Sequence, residues 1–392
     1  MQHLPAPPFL IHVIWHPDCR SAARMADRIR DHFGTHRFRD VAGGVGIDIV
    51  FQSTLGSSTL NSLPVTRDAG CPIAVVAIID RSFAKDPEWV GYLRELGQRA
   101  SNETAPARLI PVVLEPDILN GLQLNEQAIC WYDGDARAES PEQRLMRELA
   151  YEFARMLRRQ LHALRRPHGE APPLERSLEK IQTFVSYSRN DEHGKEIAEE
   201  IRGWLFQNSA LASFLDVYDI PAGLPFHEVI EHHIGRSVFL AIQTDSYSSR
   251  EWCRREVMVA KRRGVPMIVV DCLNAGEERA FPYLGNVPVV RMDPVEKDRL
   301  PEIAGRLLDE VLADFLWRCR VELLPDRWPD IVFMSRPPEL ISLATLGTRE
   351  EERRVVVYPD PPLDQEEQRV LRATRSDLQL RTMTQWLAEE PS

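Results

Sequence analysis

Short apolar runs alternate with amphipathic stretches along most of the chain, and the alternation occurs twice. A continuous apolar run of about four to eight residues is typical of a strand buried on both faces, the usual state in a parallel sheet. In the first half, strands are predicted at residues 9–15, 47–51, 73–79, 109–114 and 128–132, and a helix near residues 142–163. This alternation predicts an α/β domain.

The pattern begins again after residues 165–176, RRPHGEAPPLER, whose prolines and charges indicate a linker. The second series of strands is predicted at residues 183–187, 213–216, 238–243, 267–271 and 287–291, followed by a helix near residues 300–318. Because the order of elements is the same in both halves, we interpret them as a divergent repeat.

The repeat gives the predicted domain organisation. We expect a first domain at residues 1–164, a linker at 165–177, a second domain at 178–319 and a C-terminal extension at 320–392. In the extension, strands are predicted at residues 330–334 and 354–358, and a helix at residues 366–373. Its low apolar content predicts either a small appendage or the lead-in to another segment, and the sequence assigns it no role.

Composition and charge narrow the class of protein. The net charge of −11 argues against nucleic acid as a direct partner, since a phosphate-binding surface needs a basic excess. The apolar runs are far shorter than the roughly 20 residues of a membrane helix, and the N-terminal segment does not have the pattern of a signal peptide. The six cysteines are scattered, which predicts neither a zinc site nor a disulfide framework. We therefore expect a cytoplasmic protein without a bound metal or membrane partner.

Three motifs in the second half carry candidate chemistry. FVSYSRND (184–191) is a strand that delivers Tyr187 and Arg189 to the carboxyl edge of the sheet, where open α/β folds bind ligands. A second strand ends at Asp216 in the segment FLDVYDIPAGLPFHEVIEHHIGRS (214–237), which has a loop long enough to move. The third motif, SYSSREWCRRE (246–256), places Glu256 one helical turn after Trp252, on the same helix face.

In this order and spacing, the three motifs resemble those of the TIR (Toll/interleukin-1 receptor) domain family, in its NAD-cleaving form, over residues 178 to about 318. The resemblance implies flavodoxin-like domains with parallel sheets, a loop after Asp216 that takes part in self-association, and a catalytic glutamate at Glu256. It also implies that NAD⁺ is a substrate rather than a cofactor. Phe184, Ser186, Tyr187, Arg189, Asp216 and Trp252 are the substrate-binding residues that it suggests.

The chemistry of NAD⁺ cleavage fits a single carboxylate. Breaking the bond between nicotinamide and ribose develops positive charge on the sugar, as in glycoside hydrolysis, and nicotinamide leaves as a neutral base without an acid. A carboxylate beside the ribose stabilises that charge. Trp252, Phe184 or Tyr187 is expected to stack on the nicotinamide, and Arg189 or Asp216 to orient the ribose or the phosphates.

Other interpretations stay open at this stage. Glu256 also suits the dipole of a helix N-terminus. The basic residues of this helix indicate a solvated face or a contact between copies; they are Arg254, Arg255, Lys261, Arg262 and Arg263. If Glu256 is not catalytic, the domain is either a non-enzymatic adaptor that signals through TIR–TIR contacts or a module that binds a nucleotide signal. The first half has Leu93 four residues after Trp89, which predicts a degenerate TIR-like domain with a scaffold or sensing role. If the second half is an enzyme, we expect activation by self-association, with an upstream sensor or nucleotide signal, in bacterial antiviral defence.

Overall fold

A computed structural model of the chain gives two compact units, the first made of residues 3–172 and 322–325 and the second of residues 173–321 and 326–392. The structure describes residues 7–34, 46–55, 71–100, 107–118, 122, 126–132, 139–165, 180–208, 211–215, 234, 237–296, 299–324, 328, 330–347 and 354–389. Asp216, most of the loop after it and nearly all of the predicted linker lie outside these ranges.

The first unit is built on a five-stranded parallel sheet in the order β2-β1-β3-β4-β5. The strands are β1 (Leu10–Trp15), β2 (Asp48–Gln52), β3 (Ile73–Ile79), β4 (Ala107–Val113) and β5 (Ile129–Cys130), and the helices are α1 (Arg20–Phe33), α2 (Arg81–Lys85), α3 (Pro87–Ala100) and α4 (Pro141–Leu164). All seven residues of β3 are buried, which explains its unbroken apolar sequence.

The second unit repeats this arrangement. Its main sheet has the order β10-β9-β8-β6-β7, so that relative to the chain both sheets follow the flavodoxin-like order 2-1-3-4-5. The elements are β6 (Ile181–Ser186), α5 (Glu192–Asn208), β7 (Leu211–Leu215), β8 (Val238–Gln243), α6 (Glu251–Arg263), β9 (Met267–Asp271), β10 (Val289–Arg291) and α7 (Leu300–Glu322). The predicted fold class of two flavodoxin-like domains is therefore confirmed.

The C-terminal extension has a sheet and a core of its own. Its parallel strands β11 (Ile331–Phe333), β12 (Arg354–Tyr358) and β13 (Leu378–Thr382) accompany the helices α8 (Leu340–Leu343), α9 (Gln365–Thr374) and α10 (Met383–Glu389). A cluster that includes Val356, Tyr358, Leu371 and Leu380 is buried between them. The sequence pattern missed β13, α8 and α10 because each has only four to seven residues, too few to show a period.

Helix α6 ends in a glycine cap. It stops at Gly264, whose φ of 61° lies in the left-handed region that glycine adopts at little cost. Within the described residues, no helix combines the length and apolar character of a membrane-spanning segment.

Candidate functional site

The candidate site lies where β6, β8 and the start of α6 come together. Strand β8 ends at Gln243, and the chain forms a 3-10 turn at Tyr247–Ser249 before α6 begins at Glu251. Arg254 joins the turn to the helix, because its Nη1 donates to the carbonyl oxygens of Ser248 (2.9 Å) and Ser249 (2.8 Å). Arg254 is half-buried. The prediction of a solvated helix face is wrong for Arg254, whereas Arg255, Arg262 and Arg263 of the same run are exposed.

Glu256 is buried, with 3% of its surface exposed, and its carboxylate is hydrogen-bonded. The Ser186 hydroxyl donates to Glu256 Oε2 at 2.5 Å, and the same Ser186 oxygen lies 2.7 Å from the Tyr247 hydroxyl. We call these three side chains the polar trio. Burial raises the pKa of Tyr247 well above its ordinary value; Cys253 and Glu256 nearby add to this effect, and the Ser186 hydrogen bond opposes it.

A second set of hydrogen bonds organises the turn that follows β6. Ser246 Oγ lies within hydrogen-bond distance of Ser188 Oγ, at 3.0 Å, and of Asp191 Oδ2, at 3.2 Å. Asp191 Oδ1 accepts from the backbone N–H groups of His193 (3.1 Å) and Gly194 (3.3 Å), so that it caps the first turn of α5. The two polar loops at this edge of the sheet are thereby tied together.

The loop after β9 is fastened to the same edge through two acidic side chains. The Asp245 carboxylate accepts hydrogen bonds from three consecutive backbone N–H groups, residues 274–276, at 2.9, 2.9 and 3.2 Å. These bonds, with that from Ala275 the strongest, lower the pKa of Asp245. Glu277 Oε1 accepts from Gln243 and from Ser248, each at 2.6 Å. The sequence did not single out these residues, because their partners are distant in the chain.

The structure places the predicted substrate-binding residues in different environments. Phe184 is wholly buried and stacks on Phe239, with ring centroids 5.6 Å apart. This position gives it a packing role. Tyr187 is buried, and its carbonyl oxygen accepts from the Cys253 thiol at 3.5 Å. Ser186 belongs to the polar trio and touches the candidate catalytic carboxylate directly.

Two further predicted residues lie nearer the surface. Trp252 is partly exposed and packs against the core, and the Arg255 guanidinium lies 5.2 Å from its ring centroid. Arg189 is exposed in the turn after β6. Asp216 lies outside the described residues. The structure therefore brings Ser186 and Glu256 together, while a contact of Arg189, Tyr187, Phe184 or Trp252 with a substrate stays a prediction.

The equivalent region of the first unit has a different composition. Leu93, four residues after Trp89, is buried in an apolar cluster. After β1, His16 is buried; its Nδ1 accepts from the Asp18 backbone N–H at 3.2 Å, and its Nε2 lies 3.5 Å from Asp86. In the described parts of both units, no group of three or more His, Cys, Asp or Glu side chains has an arrangement suited to a metal ion.

Comparisons with known proteins identify the second unit. A comparison with curated proteins found no match. Among solved structures, tagatose-6-phosphate ketose/aldose isomerase from Escherichia coli is 10% identical, with 79% of this chain and 82% of that chain covered and a TM-score of 0.22. The C-terminal domain of glucosamine-fructose-6-phosphate aminotransferase from Francisella tularensis is 10% identical, with coverage of 79% and 85% and a TM-score of 0.20. Scores this low carry no structural argument. A family model described as TIR domain matches residues 183–300, the segment that contains the polar trio and both surrounding loops. Residues 183–300 of this chain are a TIR domain.

Proposed function

We propose that the TIR domain is an NAD⁺ glycohydrolase that cleaves the bond between nicotinamide and ribose, with Glu256 as its catalytic residue. The observation that supports this proposal is the position of Glu256. Its carboxylate is buried at the start of α6 and accepts a hydrogen bond from Ser186 at the end of β6. A buried carboxylate is costly unless it is partnered, and such groups are concentrated at functional sites.

The proposed reaction needs one carboxylate and no acid. The bond from ribose C1′ to the nicotinamide nitrogen breaks, and its electron pair goes to nicotinamide, which leaves neutral. The Glu256 carboxylate stabilises the positive charge that develops on the ribose. Water then adds to C1′ and loses a proton, giving ADP-ribose; addition of a nucleophile from within the same molecule gives a cyclic product instead.

Burial of Glu256 also bears on regulation. With 3% of the residue exposed, NAD⁺ contacts the carboxylate only after a rearrangement. We therefore propose that the isolated chain is inactive and that self-association of TIR domains, triggered by an upstream sensor or a nucleotide signal, opens the site. A role in bacterial antiviral defence is part of this proposal.

Release of nicotinamide from NAD⁺ tests the function directly. It is followed across a range of protein concentrations for the wild-type chain, Glu256→Gln and the control Glu251→Gln. Glu251 is exposed and is the first residue of the same helix, so that its substitution changes charge without changing the polar trio. We expect turnover that rises more than linearly with protein concentration, a loss of roughly a hundredfold or more in Glu256→Gln, and little change in the control. Full activity in Glu256→Gln would refute the catalytic role.

The burial of Glu256 also favours a second candidate, a non-enzymatic adaptor that signals by contacts between TIR domains. In that case the chain self-associates without releasing nicotinamide at any concentration. A module that binds a nucleotide signal instead gives saturable binding of NAD⁺ or a related nucleotide without turnover. Sedimentation and calorimetric titration beside the activity assay separate these outcomes.

A further inference from the structure

The polar trio carries an inference about how Glu256 is held. Tyr247 is wholly buried, and its hydroxyl lies 2.7 Å from Ser186 Oγ, which donates to Glu256 at 2.5 Å. The three groups come from three elements: the end of β6, the 3-10 turn after β8 and the first turns of α6. They form a short chain of hydrogen bonds that ends on the carboxylate.

The number of available hydrogens determines which group donates in each of these hydrogen bonds. An ionised carboxylate only accepts hydrogen bonds, and a serine hydroxyl has one hydrogen to donate. If Ser186 gives its hydrogen to Glu256, the hydrogen between Ser186 and Tyr247 must come from the tyrosine. Burial raises the pKa of Tyr247, which keeps it protonated and able to donate.

The first unit provides an internal comparison. Ser186 pairs with Ala241, two residues before the end of β8, and Ile14 pairs with Ala77, two residues before the end of β3, so that Ile14 stands at the position of Ser186. The residue four positions after the next central strand is Phe83 after β3 and Tyr247 after β8. Leu93 stands four residues after Trp89, as Glu256 does after Trp252. All three polar groups of the trio thus have apolar counterparts in the unit that lacks the glutamate.

We propose that Tyr247 is a positioning residue for NAD⁺ cleavage, which acts through Ser186 to orient the Glu256 carboxylate. The proposal rests on the function proposed above. Donation from Tyr247 polarises the Ser186 hydroxyl, which strengthens its bond to Glu256 and favours one rotamer of the carboxylate. Because the carboxylate matters most when charge develops on the ribose, the loss of this orientation lowers kcat more than it raises KM.

Tyr247→Phe is the first test, because it removes one oxygen from a buried ring and keeps the packing. We expect kcat to fall roughly three- to tenfold with KM within about twofold of wild type. Ser186→Ala removes the direct donor and is expected to lower kcat roughly ten- to a hundredfold. Ser186→Thr keeps the hydroxyl and is expected to retain more activity than Ser186→Ala.

The matched control is Tyr358→Phe, which removes a buried tyrosine hydroxyl from the C-terminal extension, where it accepts from the Leu363 backbone N–H. We expect it to leave kcat unchanged. Thermal unfolding shows whether each variant is folded. If either Ser186 variant is unstable, Tyr247→Phe still tests the proposal. Wild-type kcat in folded Tyr247→Phe, or equal losses in Tyr247→Phe and Tyr358→Phe, would overturn the positioning role. If the wild-type chain releases no nicotinamide in any assembled state, the proposed function fails first and the positioning role fails with it.

Discussion

The ion pair between Lys261 and Glu339 predicts that helix α6, which carries Glu256, stabilises the C-terminal extension. Lys261 Nζ lies 2.7 and 2.9 Å from the two carboxylate oxygens of Glu339 and donates to the Gly285 carbonyl oxygen at 2.7 Å. The side chains are 7% and 21% exposed. Lys261 lies on α6, five residues after Glu256, and Glu339 immediately precedes α8.

Partial burial sets the size of the effect. Removing one partner of a fully buried ion pair costs about 3–5 kcal/mol, whereas exposed pairs contribute about 0–1 kcal/mol. In this pair the lysine side chain is almost fully buried, whereas the glutamate side chain is partly hydrated. We therefore expect Glu339→Gln to lower the free energy of unfolding of the extension by about 2 kcal/mol, with a coupling of about 1–2 kcal/mol in the cycle with Lys261→Met.

Hydrogen exchange of the amides in β12 and β13 is a suitable assay, because it reports opening of the extension rather than unfolding of the whole chain. The matched control is the pair Arg369–Glu366 on α9, whose side chains are 73% and 67% exposed and whose coupling we expect to be below about 0.5 kcal/mol. If the cycle for Lys261 and Glu339 gives no more coupling than the control, the extension is not held to α6 by this pair.

Two further predictions concern protonation and a loop. Burial lowers the pKa of His12 to about 4 from an ordinary value of 6.5, so that the unfolded chain takes up the proton at higher pH than the folded chain. The free energy of unfolding therefore falls by about 3 kcal/mol in total as the pH falls from about 6.5 to about 4. Urea denaturation measures this pH dependence. We expect it to be weaker in His12→Gln and unchanged in the exposed control His193→Gln. Asp245→Ala removes the acceptor of three amides, and we expect exchange at residues 274–276 to accelerate about tenfold or more. Asp293→Ala, which removes a similar acceptor for Val295 and Glu296, should leave that loop unchanged.

The main strands could be predicted from the sequence because burial on both faces requires a continuous run of apolar residues. The predicted bounds of β3, β8, β9 and β12 agree with the structure. In contrast, β13 reads LQLRT, in which two apolar residues on one face are too few to distinguish a strand from a loop. Its burial becomes evident only when β12 lies beside it.

Part of the candidate site could also be predicted from the sequence, through the family resemblance. The resemblance pointed to Glu256 and Ser186, which the structure places in direct contact. Tyr247 was missed because SYS is a common tripeptide, and only the fold brings this ring to Ser186, 61 residues away in the chain. Phe184 is buried against Phe239, and its expected contact with a substrate stays a prediction.

The cost of the polar trio argues that it is kept for a reason other than stability. Replacing buried polar or charged groups by apolar side chains of similar volume is often neutral or stabilising, because no desolvation has to be offset by hydrogen bonds. The first unit shows that this fold accepts such a solution, with Ile14, Phe83 and Leu93 buried at the three corresponding positions. The second unit instead has a carboxylate that is 3% exposed, a serine hydroxyl that donates to it and a tyrosine hydroxyl that is hydrogen-bonded to that serine. A set of groups that folding does not require, at the edge where flavodoxin-like sheets bind ligands, is the pattern expected when chemistry or binding rather than packing determines the residues.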